Sequence, residues 1–249
     1  MNALIQEIAA QGRAQEIYGL LNDCALIIAV LYSFWHGKKL GVPLWKMFIL
    51  LLAIYLGMGY LQGAIWELLL YISNRELFGI REPVNSIVRV FIFVPVIGFI
   101  FGKLLRLKAR QVWDATAMFP LVRSAFAQIA CMFTGCCAGQ PVGWGLYNKR
   151  TDLYHFPVQP LETVLSLAVA AWLICRLRKH KFQSDGLSMP CMFIGYGIQR
   201  FLCEALRDNE KLLPLCSGVG IHALGLCAVG ALWILIEHML KKKAKEKIS

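Results

Sequence analysis

The chain has 249 residues, 58% of them hydrophobic and only 16% charged, with a formal net charge of +11. A soluble domain carries about a quarter charged residues, so this composition excludes an ordinary water-soluble globule and makes the bilayer the expected solvent. The positive charge alone would suit a nucleic-acid binder, but the basic residues are spread loop by loop instead of forming one patch, and no nucleic-acid partner is expected.

A helix needs about 20 mostly apolar residues to cross roughly 30 Å of hydrocarbon. Runs of this kind fall at 18–35, 47–70, 84–101, 115–134, 157–175, 186–206 and 218–240. They predict an all-α polytopic membrane protein with about seven transmembrane helices, the whole of 1–249 forming one membrane domain. Ahead of the first run, residues 1–17 carry Glu7, Arg13 and Glu16 and lack the sustained apolar stretch of a cleavable signal. This short extracytoplasmic leader is either an interfacial helix with Ile5, Ile8 and Ala9 on its apolar side or a segment without fixed structure. The segments after spans one, three and five, together with the tail at 241–249, hold sixteen Lys and Arg against seven on the opposite side. That bias predicts an N-terminus outside and a basic cytoplasmic C-terminus, and anionic headgroups then suffice as partners for the net charge. No internal repeat is visible, which argues against a transporter built of two related halves.

Polar residues inside spans are expensive and tend to face a partner or a cavity. Three arginines fall there: Arg89 in span three, Arg123 in span four and Arg200 in span six, with Asp23, Glu67, Gln128, Glu162 and Glu204 as acidic or amide companions. Arg200 and Glu204 stand four apart and Arg207 follows three later, so the three share one helical face. A guanidinium oriented by a carboxylate suits a lipid phosphate, through forked hydrogen bonds, as well as it suits a structural ion pair.

Span four ends in Phe133-Thr134-Gly135-Cys136-Cys137-Ala138-Gly139-Gln140-Pro141, where glycine and proline break the helix. The nine cysteines are odd in number and mostly lie within spans, which argues against a disulfide framework. Two adjacent cysteines with no further thiol or imidazole beside them in sequence are a poor chelating pattern, so no metal and no other cofactor is expected and close packing is the favoured role.

Taken in order, several motifs resemble those of the prolipoprotein diacylglyceryl transferase family over nearly the whole chain. They are Tyr18-Gly19-Leu20, Lys38-Lys39-Leu40-Gly41, Asp114, the Gly135 to Gly139 turn, Pro157-Val158-Gln159-Pro160-Leu161-Glu162 and Tyr196-Gly197-Ile198-Gln199-Arg200-Phe201-Leu202-Cys203-Glu204, with Arg207 following. The resemblance implies a multi-pass enzyme of the bacterial plasma (inner) membrane. Such an enzyme moves the diacylglyceryl group of phosphatidylglycerol, or a related anionic glycerophospholipid, onto the lipobox cysteine thiol of a prolipoprotein signal peptide and releases glycerol phosphate. It further implies Arg200 and Glu204 as catalytic residues at the departing phosphate. The substrate-binding set would be Tyr18, Arg89, Arg123, Gln128, Gly135, Cys136, Gly139, Gln159, Glu162, Tyr196 and Arg207.

The chain departs from the family's pattern at three places. Span three reads Ile87-Val88-Arg89-Val90-Phe91 with no His-Gly-Gly, the family's arginine-glycine-asparagine aligns with Gln128-Ile129-Ala130-Cys131, and its following glutamate aligns with Cys136. An imidazole would have to come from elsewhere, His155 and His222 being available in sequence. The alternative reading is a catalytically altered homologue that binds or presents a lipid or partner without covalent chemistry.

Overall fold

The computed structural model describes residues 2–10, 12–61, 88–148, 150–181, 184–208 and 218–246. In chain order they form α1 (Asn2–Ala10), α2 (Ala14–Lys39), α3 (Leu44–Leu56), which widens into a π turn over Gly57–Leu61, α4 (Val88–Leu104), α5 (Ala109–Thr116) and α6 (Met118–Thr134). A hairpin of β1 (Pro141–Asn148) and β2 (Leu153–His155) follows, then α7 (Val158–Lys179), α8 (Ser188–Glu204) and α9 (Gly218–Glu246). Among the described residues, four helical stretches are long and apolar enough to cross a membrane: Ala14–Lys39, Ala109–Thr134, Val158–Lys179 and Val219–Lys243. Leu44–Leu56 and Phe93–Leu104 are shorter apolar helices. The far half of the second expected span, with Glu67, and the first residues of the third lie outside the described residues.

The packing reads as a helical protein solvated by lipid. In α2 the buried residues are Ala25, Ala29, Ser33, His36 and Gly37, mostly small and four apart, whereas Leu20, Ile27, Ile28, Leu31 and Trp35 are exposed. Water would drive the large residues inward. Hydrocarbon solvates them as well as a protein core does, so small residues take the inner face because they let backbones approach. The same logic joins α8 to α9: a Cβ on Gly197 would stand 2.4 Å from Cys227 Sγ and 2.6 Å from the Ala223 carbonyl oxygen, so only glycine fits that crossing. The central helix is α6, with α2 on one side and α7 on the other; α8 then packs on α7, and α9 on α8.

The ends of the bundle are closed differently. At the start of α8, buried Asp114 accepts hydrogen bonds from Ser184 Oγ (3.0 Å), the Gly186 N–H (2.9 Å) and the Ser188 N–H (3.0 Å), which ties the α7–α8 connection to α5. At the opposite end the C-termini of α6 and α8 meet the N-terminus of α7 beneath the β-hairpin. The all-α expectation is modified there by an antiparallel pairing in which Leu146 faces His155 and Asn148 faces Leu153. The turn is set locally: Asn148 Oδ1 accepts from the Arg150 N–H (3.0 Å), and Asp152 adopts a left-handed φ of 57°. The first segment is a helix and not an unstructured leader. It docks on the hairpin through Asn2 Nδ2, which donates to the Gly145 carbonyl (3.0 Å), and through buried Ile5.

Candidate functional site

Under the hairpin, four charged side chains from two helices and the segment after α8 form one buried network. Arg200, on α8, donates from Nη1 to both oxygens of Glu162 on α7 (2.7 and 2.9 Å) and pairs with Glu204 through Nη2 (3.1 Å). Arg207 approaches Glu162 from the other side, donating from Nη2 to Glu162 Oε2 and to Gln128 Oε1 (3.1 Å), and from Nη1 to the Cys137 carbonyl (2.9 Å). Its Nε stands 3.7 Å from Glu204 Oε2. Glu162 is 0% exposed and Arg207 1%, so little solvent screens these charges and two carboxylates balance two guanidiniums. Arg200 Nε and Arg207 Nε are buried and have no hydrogen-bond partner among the described residues. A planar guanidinium with an unused donor has a direction left for an oxyanion once a neighbouring side chain makes room for it.

The turn after α6 abuts this network. Gly135 ends the helix in the left-handed region (φ 68°), and Cys137 is left-handed too (φ 57°). The turn is pinned by the Cys137 bond to Arg207 and by Gln159 Nε2, which donates to the Cys136 carbonyl (3.1 Å). Further on, Gly139 pairs with Arg207 as an isolated antiparallel bridge, and a Cβ there would lie 2.4 Å from the Phe156 carbonyl oxygen. The turn folds back on α6, bringing the sulfurs of Cys131, Cys136 and Cys137 within 4.8 Å of one another. The Cys137 thiol is drawn below its ordinary pKa range, first by hydrogen bonds from the Cys131 and Cys136 thiols and then by the Arg207 and Arg200 guanidiniums.

The remaining expected residues border this centre unevenly. Tyr196 is fully buried one turn before Arg200 and stacks on Phe91 of α4, with ring centroids 3.7 Å apart. Tyr18 on α2 lies within electrostatic reach of Cys131, Cys136 and Cys137, and of Arg123 on α6. Arg123 has no carboxylate at ion-pair distance among the described residues and faces Tyr18 and Tyr55 instead of the Glu162 network. Arg89 stands in the first turn of α4, and its side chain lies outside the described residues. His155 is buried with both ring nitrogens engaged: Nδ1 lies 2.7 Å from the Gly139 carbonyl oxygen, which can only accept, and Nε2 lies 2.7 Å from Thr151 Oγ1. That ring holds the hairpin to the turn and has no nitrogen left for a proton transfer. His222 is an exposed residue of α9 that lines an apolar cavity of about 690 Å³ between α4 and α9.

Two features escaped sequence reasoning. Cys131 joins the vicinal pair only because the left-handed turn doubles back, and its spacing to Cys136 matched no familiar ligand pattern. Glu162 bridges both arginines from 38 and 45 residues away, a pairing with no periodic signature.

The family model described as prolipoprotein diacylglyceryl transferase matches residues 8–239. No curated protein matches the chain. A match over nearly its full length, spanning the Glu162 network, the glycine turn and the helices that carry them, means that the chain belongs to the prolipoprotein diacylglyceryl transferase family.

Proposed function

We propose that this protein is a phospholipid-dependent transferase of the bacterial plasma membrane. It moves the diacylglyceryl group of phosphatidylglycerol to the lipobox cysteine thiol of a prolipoprotein signal peptide. In this reading a carbon–sulfur bond forms as the glyceryl carbon–oxygen bond breaks, and glycerol phosphate leaves with the displaced electron pair and, in the net reaction, takes up the proton the thiol loses. The observation that carries it is the pair of buried guanidiniums converging on Glu162 at the hairpin end of the bundle, each with an Nε that makes no hydrogen bond among the described residues. Arg200 stabilises the departing phosphate, where preorganised positive charge contributes most to rate, and Glu204 and Glu162 hold its plane. Gln128 and Gln159 fix Arg207 and the Gly135 to Gly139 turn around it.

An apolar groove of about 590 Å³ between α7 and α8, lined by Leu165, Trp172, Ile198 and Leu202 and bordered by Gln199 beside Arg200, offers room for an acyl chain. Seven spans, with the N-terminus outside and the tail of 241–249 in the cytoplasm, put the hairpin end at the outer surface. Residues 1–249 then form one membrane domain, in which α1 closes the outer end.

A second reading is favoured by His155, whose two ring nitrogens are already bonded. With that imidazole withdrawn, the network would serve to bind or present a phospholipid without transferring it.

The deciding experiment supplies purified protein with phosphatidylglycerol and a lipobox peptide and reads thioether product by mass spectrometry. Transfer by the wild type is expected to fall by about 10²- to 10³-fold in Arg200→Lys, which keeps the charge but not the fork. Folded, lipid-bound wild type that makes no product would move the assignment to the binding reading. A fully active Arg200→Lys would remove Arg200 from the reaction.

A further inference from the structure

We infer that Cys131, Cys136 and Cys137 form a three-thiolate site for a thiophilic d10 cation, zinc(II) or copper(I), at the C-terminal end of α6. The three sulfurs already lie within 4.8 Å of one another. Sulfurs sharing one ion at a bond length of about 2.3 Å stand about 3.8 to 4.0 Å apart, so the widest pair has to close by no more than about 1 Å, a distance within the reach of side-chain rotation. The backbone around them is held by other elements: the Cys137 carbonyl by Arg207, the Cys136 carbonyl by Gln159, and the helix end by left-handed Gly135. Cys137 keeps a left-handed φ of 57°, a conformation costly for a residue with a side chain and retained where the surroundings impose it. With the peptide groups engaged elsewhere, the sulfurs are left to face one another.

The donor set decides the class of ion. Sulfur-only ligation selects zinc(II) or copper(I) and rejects magnesium and calcium, which require oxygen. Thr134 Oγ1 lies 3.1 Å from Cys136 Sγ and can donate to that sulfur as a thiolate, an outer contact that orients a ligand. Three thiolates satisfy copper(I) outright and leave zinc(II) one open position. Cys131 is buried whereas Cys137 is exposed, which gives the ion a path from water to a half-enclosed site. The inference does not rest on the transferase reading, because metal occupancy and lipid transfer are measured separately.

The test uses the full-length chain in detergent, reduced and stripped of metal, titrated with cadmium(II) as the probe through its thiolate charge-transfer absorbance in the ultraviolet. Saturation at one ion per chain is expected, with affinity lowered at least about tenfold in Cys131→Ala, Cys136→Ser and Cys137→Ser, since loss of even an outer partner costs that much. Cys175→Ser, an exposed thiol of α7 outside the trio, should titrate like the wild type. Displacement of cadmium by zinc(II) or by copper(I) distinguishes the two ions. A second measurement needs no variant: bound cadmium should slow alkylation of Cys136 and Cys137 in the wild type, but not of Cys175. The absence of a saturable band, a titration whose affinity is unchanged in Cys131→Ala, or alkylation of the trio unaffected by metal would each overturn the site and leave a cluster of packed thiols.

Discussion

Asp114 and Glu162 are both buried carboxylates of 0% exposure, yet they are satisfied in opposite ways. Asp114 takes two backbone N–H groups and one hydroxyl from the connection into α8. Those partners are set by the course of the chain, the carboxylate acts as a clasp, and neighbouring Asp185 reinforces it by accepting from the Leu187 N–H (2.9 Å) and pairing with Arg176. Glu162 takes two guanidiniums from separate points of the chain, and each also touches other groups. Side-chain partners of this kind can exchange a carboxylate for an incoming phosphate; backbone donors cannot turn away from theirs. In the proposed reading, that difference separates a structural polar cluster from one suited to a substrate.

The largest expected effect is on Glu162→Ala, which would leave Arg200 and Arg207 buried with one counter-charge fewer. A loss of about 3–5 kcal/mol is expected in denaturant unfolding of the purified protein. Glycerol phosphate should act in the other direction by occupying the arginines, raising unfolding stability by about 2.7 kcal/mol when present at a hundred times its Kd. The same addition to Arg200→Lys should do little. Asp114→Asn removes one acceptor oxygen from a cluster of neutral donors and is expected to cost about 1–3 kcal/mol while leaving transfer unchanged. Equal losses in Asp114→Asn and Glu162→Ala, or a transfer defect in the former, would erase the distinction drawn between the two ends. Smallest of all is Arg110→Ala: its 2.7 Å pair with Glu237 leaves Arg110 46% exposed, and solvent screening should hold the change to about 1 kcal/mol or less.

The closeness of the thiol turn to the arginines gives that end a chemical range the Asp114 end lacks. Arg207 spans both, holding Glu162 with one nitrogen and the Cys137 carbonyl with the other. Gly139 and Ala138 pair with the strand-like segment that carries Arg207, so a shift of the turn would be felt at Glu162 through two or three bonds.

The sequence alone determined what depends on near neighbours. Apolar run length marked where the helices lie, because crossing hydrocarbon is a property of consecutive residues. Four-residue spacing paired Arg200 with Glu204, because a helix turn returns to the same face. The order of short motifs gave the family. Tertiary structure decided the partners that approach from afar: Glu162 as the hub of both arginines, Cys131 as the third sulfur, the hairpin and α1 as the cover, and His155 as a fastening in that cover. Those contacts join side chains across helices or across a left-handed turn, where no periodicity links their positions and only the packing of the assembled bundle sets the distance.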